Sequence, residues 1–140
     1  MVDKTQELSI EWLKRDEGLR LFPYKCSANK LSVGYGRNLE DCGITEAEAE
    51  YLLINDLQTA RSDARKFVGD DVFLNLTPER QAVICCMAFN LGLPRLRKFV
   101  KFKDAIIVGD YEEARVQMLD SKWREDVGDR ALRLADAFYS

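Results

Sequence analysis

Residues 21–38 have the sequence LFPYKCSANKLSVGYGRN, and this stretch differs in pattern from the helical periodicity on either side of it. A turn-forming Ser27-Ala28-Asn29 divides it, and residues 31–36 alternate with period two. Alternation of this period is typical of strands, so we predict a small β-hairpin or sheet here. Gly34 and Gly36 indicate positions where the backbone must come close to another group.

Helices are predicted around this sheet. Thr45 and Glu48 form a capping box ahead of an amphipathic run that continues to about Phe67. Thr77-Pro78 places an N-cap and a first-turn proline ahead of a nearly all-apolar helix that ends at Leu91. Further helices are predicted over residues 7–16, 96–108, 111–119 and 129–138. The fold class is therefore α+β.

The composition is that of a globular chain. It has 140 residues, 46% of them hydrophobic and 32% charged, so it can bury a core, and we predict one domain over residues 1–140. No apolar run approaches the roughly 18 residues of a membrane span, so stable membrane insertion is not expected. The N-terminal residues also lack the apolar segment of a secretory signal.

The absence of histidine restricts the chemistry. Ser-His-Asp triads and imidazole acid–base catalysis are excluded, so proton transfer must use Asp, Glu, Cys, Lys or Tyr. The four cysteines show no C-x-x-C spacing, and we therefore predict no metal site and reduced thiols. Cys85 and Cys86 lie in an apolar run and are expected in the core.

The net charge is −3, without the basic excess that is usual for a nucleic-acid-binding protein. One basic run nevertheless stands out, with no acid between its charges: Arg95, Arg97, Lys98, Lys101 and Lys103. Such a run is usually a solvated helix face. Its functional interpretation is attraction to an anionic polymer.

Three residues could carry chemistry together. Glu17 ends the first predicted helix, Cys26 follows nine positions later, and Ser32 lies on a predicted strand. A helix end followed by a hairpin can bring all three around one cleft. Glu17 follows Asp16. Taken alone, however, an Asp-Glu pair at the end of a helix is more often a solvated helix terminus than part of a site.

Four ordered blocks of sequence carry a family resemblance: Asp16-Glu17-Gly18-Leu19-Arg20-Leu21 with Tyr24-Lys25 and residues 33–36; residues 43–50; residues 88–92; and Ser121-Lys122-Trp123 with Gly128-x-Arg130-Ala131. Together they resemble the phage-type lysozymes of glycoside hydrolase family twenty-four, from about residue 8 to the C-terminus. The resemblance implies a small sheet lobe (about 18–45) and a long linking helix (about 45–67). It also implies a larger helical lobe (about 70–140) that includes helix 7–16.

The resemblance also implies roles for the site residues. The family pattern is Glu, eight residues, Asp or Cys, five residues, Thr, and here these positions hold Glu17, Cys26 and Ser32. Glu17 would be the acid, partly buried so that its pKa rises. Cys26, a minority variant, would supply the second catalytic group. Ser32 would position water, although it lacks the methyl group of Thr.

Supporting residues follow from the same resemblance. Arg130 would be the cation near Glu17 and would lower its pKa. Arg37 stands where better-known relatives have His, and Asp56 is its expected acidic partner in a structural ion pair.

Two positions are expected to contact substrate, Gly34 and Asn90. Asn90 ends the apolar helix, and its amide is either a C-terminal cap or a hydrogen-bond donor to sugar. Trp123 is expected to pack in the core and not to serve as a sugar platform.

The first functional hypothesis is a muramidase that cuts peptidoglycan without a cofactor. The alternatives are a non-catalytic glycan-binding or virion-structural homologue, and a lytic transglycosylase that uses Glu17 alone. The absence of a signal fits a phage endolysin that stays in the host cytoplasm until a holin releases it to the wall. We expect a monomer whose partner is the glycan strand and not nucleic acid.

Overall fold

The computed structural model describes residues 3–140 and confirms the α+β, lysozyme-like fold class. Its elements, in chain order, are α1 (Lys4–Glu17), β1 (Arg20–Lys25), β2 (Leu31–Gly34), β3 (Arg37–Asn38), α2 (Leu39–Cys42), α3 (Glu46–Val68), α4 (Asp70–Asn75), α5 (Pro78–Leu91), α6 (Leu93–Leu96), α7 (Val100–Val108), α8 (Tyr111–Leu119), α9 (Lys122–Val127) and α10 (Asp129–Tyr139). They group into two compact units that divide between Glu50 and Tyr51.

The first unit contains a three-stranded antiparallel sheet in the order β1-β2-β3. Tyr24 pairs with Ser32, and Ser32 pairs in turn with Asn38. The turn between β1 and β2 closes through the N–H of Cys26, which donates to the carbonyl of Lys30 at 2.9 Å. The predicted hairpin is therefore present, with its turn where the sequence places it.

Helix α1 also belongs to the first unit and is longer than the predicted 7–16. Asp3 caps it by accepting from the N–H of Gln6, and Gly18 ends it with a φ of 73° that an L side chain rarely adopts.

The second unit is built around α5. Thr77 accepts from the N–H of Arg80 and Pro78 occupies the first turn, as predicted. The buried face of α5 consists of Val83, Ile84, Cys85, Met87, Ala88 and Leu91. Phe102 contacts Phe138 at a ring-centroid distance of 5.6 Å and extends this core towards α7 and α10. Cys86 is exposed, so its predicted core position is wrong, because the helical period turns it away from Cys85.

The helix predicted over residues 96–108 begins only at Val100, as α7, and Leu96 is the last residue of the short helix α6. Phe99 leaves the helical conformation (φ −82°, ψ 61°). Its ring meets both Phe102 and Trp123 edge-on, at 6.3 Å in each case. Aromatic packing thus overrides the local helical pattern. Four helices of four to six residues (α2, α4, α6 and α9) were also missed, because they are too short to show a period.

The capping box at the start of α3 is confirmed and has a further partner. The Glu48 carboxylate accepts from the N–H of Thr45 at 2.8 Å, and the Thr45 hydroxyl accepts from the N–H of Glu48. Arg37 binds both oxygens of the same carboxylate, at 2.8 and 2.6 Å, and also donates to the carbonyl of Gly43. The expectation that Asp56 is the acidic partner of Arg37 is therefore wrong, since Glu48 takes that role.

No helix among residues 3–140 combines the length and apolar character that crossing a membrane requires.

The Arg37–Glu48 pair predicts a defined pH dependence of stability. The Arg37 guanidinium and the N–H of Thr45 lower the pKa of Glu48 from 4.5 to about 2. The stabilisation should therefore be complete above about pH 4.5 and be lost as the pH falls towards about 2. In Glu48→Gln the free energy of unfolding should lack this part of the pH dependence, as measured by denaturant unfolding from about pH 6 to about pH 2.

Glu46→Gln is the matched control, because Glu46 is exposed in the same helical turn and does not contact Arg37. In Glu46→Gln the free energy of unfolding should depend on pH with the same slope as in the wild type. Equal slopes for wild type and Glu48→Gln would contradict the prediction.

Candidate active site

Glu17 is the last residue of α1, and its carboxylate lies against the backbone of Gly36. A Cβ atom at Gly36 would stand 3.3 Å from Oε2 of Glu17, and the φ of Gly36 is +85°. Gly36 is thus a position of close approach, as predicted, and the approaching group is the candidate acid. The same prediction for Gly34 is wrong, since nothing in residues 3–140, apart from its chain neighbours, lies within 4 Å of a Cβ built there. Glu17 is exposed, so the expectation that it is partly buried is wrong.

Cys26 lies at the start of the turn between β1 and β2 and is partly exposed. The backbone N–H groups of Lys30 and Ala28 lower the pKa of its thiol, burial opposes them, and the Ser32 hydroxyl adds to the lowering. The turn that closes the hairpin therefore directs amide protons towards the sulfur. Hydrogen-bond donors of this kind favour the thiolate, which is the nucleophilic form of cysteine.

Ser32 is only 1% exposed and lies on β2 beside the same turn. Its hydroxyl donates to the carbonyl of Lys30 at 3.1 Å. The structure therefore brings Cys26 and Ser32 together around Lys30. Glu17 and Gly34 belong to the same unit, so this unit holds an exposed carboxylate, a thiol of lowered pKa and a buried hydroxyl.

Asn90 and Trp123 form a hydrogen-bonded pair in the second unit. The indole N–H of Trp123 donates to Oδ1 of Asn90 at 2.9 Å, and Trp123 is 3% exposed, which confirms its predicted core position. Gly92 ends α5 by donating to Ala88, so Asn90 is not the C-terminal cap. The amide of Asn90 is oriented by Trp123 and exposed, with its NH₂ group available as a donor.

Arg130 and Asp56 also lie in the second unit, on α10 and α3 respectively. Arg130 is exposed, and its pairing with Glu17 stays a prediction. Three residues of the basic run, Arg95, Lys98 and Lys101, line a cavity of about 630 Å³ whose wall includes Trp123.

Sequence reasoning missed two contributors to the site. The donors from Lys30 and Ala28 are backbone groups, so no side-chain pattern indicates them. Glu48 was assigned only to the capping box, although a carboxylate has enough acceptor capacity for a cap and an arginine together. The sequence signal that could have indicated this pair is Arg37, which stands a few residues before the Thr45–Glu48 capping box.

The Cys26 environment predicts its reactivity towards iodoacetamide. The native protein should alkylate at Cys26 with a midpoint at lower pH than the same residue shows in the chain unfolded by denaturant, because the turn amides act only in the folded state. Peptide mapping by mass spectrometry across a pH series measures both midpoints for one residue. Coincident midpoints would contradict the prediction.

Comparison with known proteins identifies the family. The sequence model of the phage lysozyme family matches residues 14–135, a range that contains Glu17, Cys26 and Ser32. An endolysin of Acyrthosiphon pisum secondary endosymbiont phage 1 is 31% identical over 121 residues, covering 84% of this chain and 77% of the relative. The pre-baseplate central spike protein of Enterobacteria phage T4 is 29% identical over 151 residues, covering 89% of this chain but only 26% of that protein. The chain therefore belongs to the phage lysozyme family and has a lysozyme-type function.

Proposed function

We propose that the chain is a muramidase that hydrolyses the β-1,4 bond between N-acetylmuramic acid and N-acetylglucosamine in bacterial peptidoglycan. One observation carries the proposal: the exposed Glu17 carboxylate lies in the same unit as the Cys26 thiol of lowered pKa, at the spacing of the family motif. Glycoside cleavage needs this combination of a proton donor and an anionic or basic group.

In the proposed reaction Glu17 is protonated and donates its proton to the glycosidic oxygen as the C1–O bond breaks. The positive charge that develops on the sugar ring is met by the Cys26 thiolate. Either the thiolate removes a proton from a water molecule whose oxygen bonds to C1, or its sulfur bonds to C1 and water later displaces it. Ser32 is proposed to position the water, and neither route requires a cofactor.

Supporting roles are proposed for the other residues. We assign Arg130 as the cation that pairs with Glu17, and Gly34 as a backbone contact for sugar. The amide NH₂ of Asn90 is suited to donate to a sugar oxygen, because Trp123 already holds the amide oxygen. Arg37 acts structurally through Glu48, and Asp56 keeps no assigned partner.

The biological setting is proposed from the endolysin relative. The protein would act as a monomer on glycan strands, remain in the host cytoplasm during phage growth, and reach the wall through a holin. The basic residues that line the cavity beside Trp123 support attraction to an anionic wall polymer.

A virion-associated role is the second candidate. The match to the T4 spike protein favours it, as do the departures from the commonest motif at Cys26 and Ser32. Such a homologue would bind glycan strands or serve as a structural part of the virion without cleaving peptidoglycan. A lytic transglycosylase, by contrast, would cleave it with Glu17 alone. Lysis of chloroform-treated Gram-negative cells separates the muramidase from a non-catalytic homologue, and product mass, hydrated or anhydro, separates it from a transglycosylase.

Glu17→Gln should abolish lysis without unfolding the protein. Glutamine has nearly the same shape but cannot donate the proton, so turnover should fall by at least about 10²-fold while binding persists. A turbidity assay measures the loss, and circular dichroism checks the fold. Retention of more than about a tenth of the wild-type rate would remove Glu17 as the acid.

Substitutions at Cys26 separate a catalytic thiol from an apolar filler. Cys26→Ala should lose most activity, and Cys26→Asp should retain or improve it, because aspartate is the commoner residue of the family pattern. Both are measured by the same turbidity assay beside thermal unfolding. An active Cys26→Ala protein, together with a destabilised Cys26→Asp protein, would assign the residue to packing.

A further inference from the structure

Two residues on one face of α1 contact two consecutive residues of the segment between β2 and β3. Lys14 and Glu17 are three positions apart and therefore neighbours on the helix surface. The ammonium group of Lys14 lies 5.6 Å from the centroid of the Tyr35 ring. The Glu17 carboxylate lies against Gly36, the next residue. The last turn of α1 thus meets this segment at two adjacent points.

Glu17 needs such a constraint because its own surroundings provide little. It is exposed, it ends its helix, and the partial negative charge of the helix C-terminus repels a carboxylate. The contact with Gly36 limits how far the carboxylate can move towards the sheet, but it attracts nothing. The attraction comes one turn earlier, where a cation meets an aromatic face.

We propose that Tyr35, acting through Lys14, is a positioning residue that holds Glu17 in its proton-donating geometry. The ring of Tyr35 holds Lys14 in place. Lys14 in turn restricts the last turn of α1 from sliding along or rotating about the helix axis, and so keeps Glu17 against Gly36. The device uses the face of the ring and not its hydroxyl group. It rests on the proposed function, in which Glu17 is the acid.

The test measures kcat and KM on soluble peptidoglycan fragments for Tyr35→Leu, Lys14→Met, the double variant and Tyr35→Phe. An exposed cation–π contact corresponds to about two- to fivefold in rate, so each single variant should lose about that much in kcat with KM unchanged. The double variant should lose no more than either single variant, because both remove the same contact. Tyr35→Phe keeps the ring face and should retain the wild-type kcat.

Matched controls exclude general effects of the substitutions. Tyr51→Leu removes an exposed tyrosine from α3, and Lys4→Met removes an exposed lysine from the start of α1. Both should keep the wild-type kcat. Thermal unfolding should show every variant folded at the assay temperature, with the melting temperature of Tyr35→Leu and Lys14→Met lowered by no more than about 4 °C, which separates positioning from loss of fold.

Several outcomes would overturn the proposal. A rise in KM at constant kcat would make Tyr35 a sugar platform, additive losses would show that Tyr35 and Lys14 act separately, and a Tyr35→Phe protein as slow as Tyr35→Leu would assign the effect to the hydroxyl. Two further results separate failure of the proposed function from failure of the positioning role. A wild-type protein that does not hydrolyse the fragments would overturn the proposed function itself. An active wild type and an inactive Glu17→Gln, beside unimpaired Tyr35→Leu and Lys14→Met, would overturn only the positioning role.

Discussion

The missing side chain at Gly36 is the constraint on which the arrangement of the first unit depends. At a φ of +85°, and with Oε2 of Glu17 3.3 Å from where a Cβ would stand, any L residue would be strained and would also press on the carboxylate. Gly18 contributes through its backbone conformation alone, since its positive φ ends α1 just after Glu17 and, its sequence neighbours aside, nothing in the described part of the chain lies within 4 Å of a Cβ built there. The two glycines thus determine where the helix stops and what its last side chain meets.

The elements that the sequence predicts well are those whose cause is local. The hairpin follows from alternation and a turn triplet, and the starts of α3 and α5 follow from Thr45 and Thr77, whose caps form as expected. The break between α6 and α7 has a distant cause, since Phe99 leaves the helix to meet Trp123, more than twenty residues later in the chain. No window of local sequence contains that contact.

The candidate site shows the same division between local and distant causes. The motif spacing identifies Glu17, Cys26 and Ser32, but it does not identify the partner of Arg37. Asp56 and Glu48 are both acids of α3 and lie about 12 Å apart along its axis at 1.5 Å per residue. Which of them receives the guanidinium depends on where β3 meets the helix. Burial is equally hard to predict from local sequence, because it depends on packing partners that are distant in the chain. Glu17 and Cys86 were both expected to be more buried than they are.

A site without histidine must obtain its acid and its anion from other groups, and here the backbone contributes much of the electrostatics. The amides that lower the pKa of the Cys26 thiol belong to a turn in which Asn29 adopts a φ of 61°, a conformation that asparagine tolerates better than most residues. Peptide donors keep their charge distribution across the pH range, unlike an imidazole. The pKa of the thiol is therefore lowered by the same turn that closes the hairpin, chiefly through other N–H groups than the one that closes it.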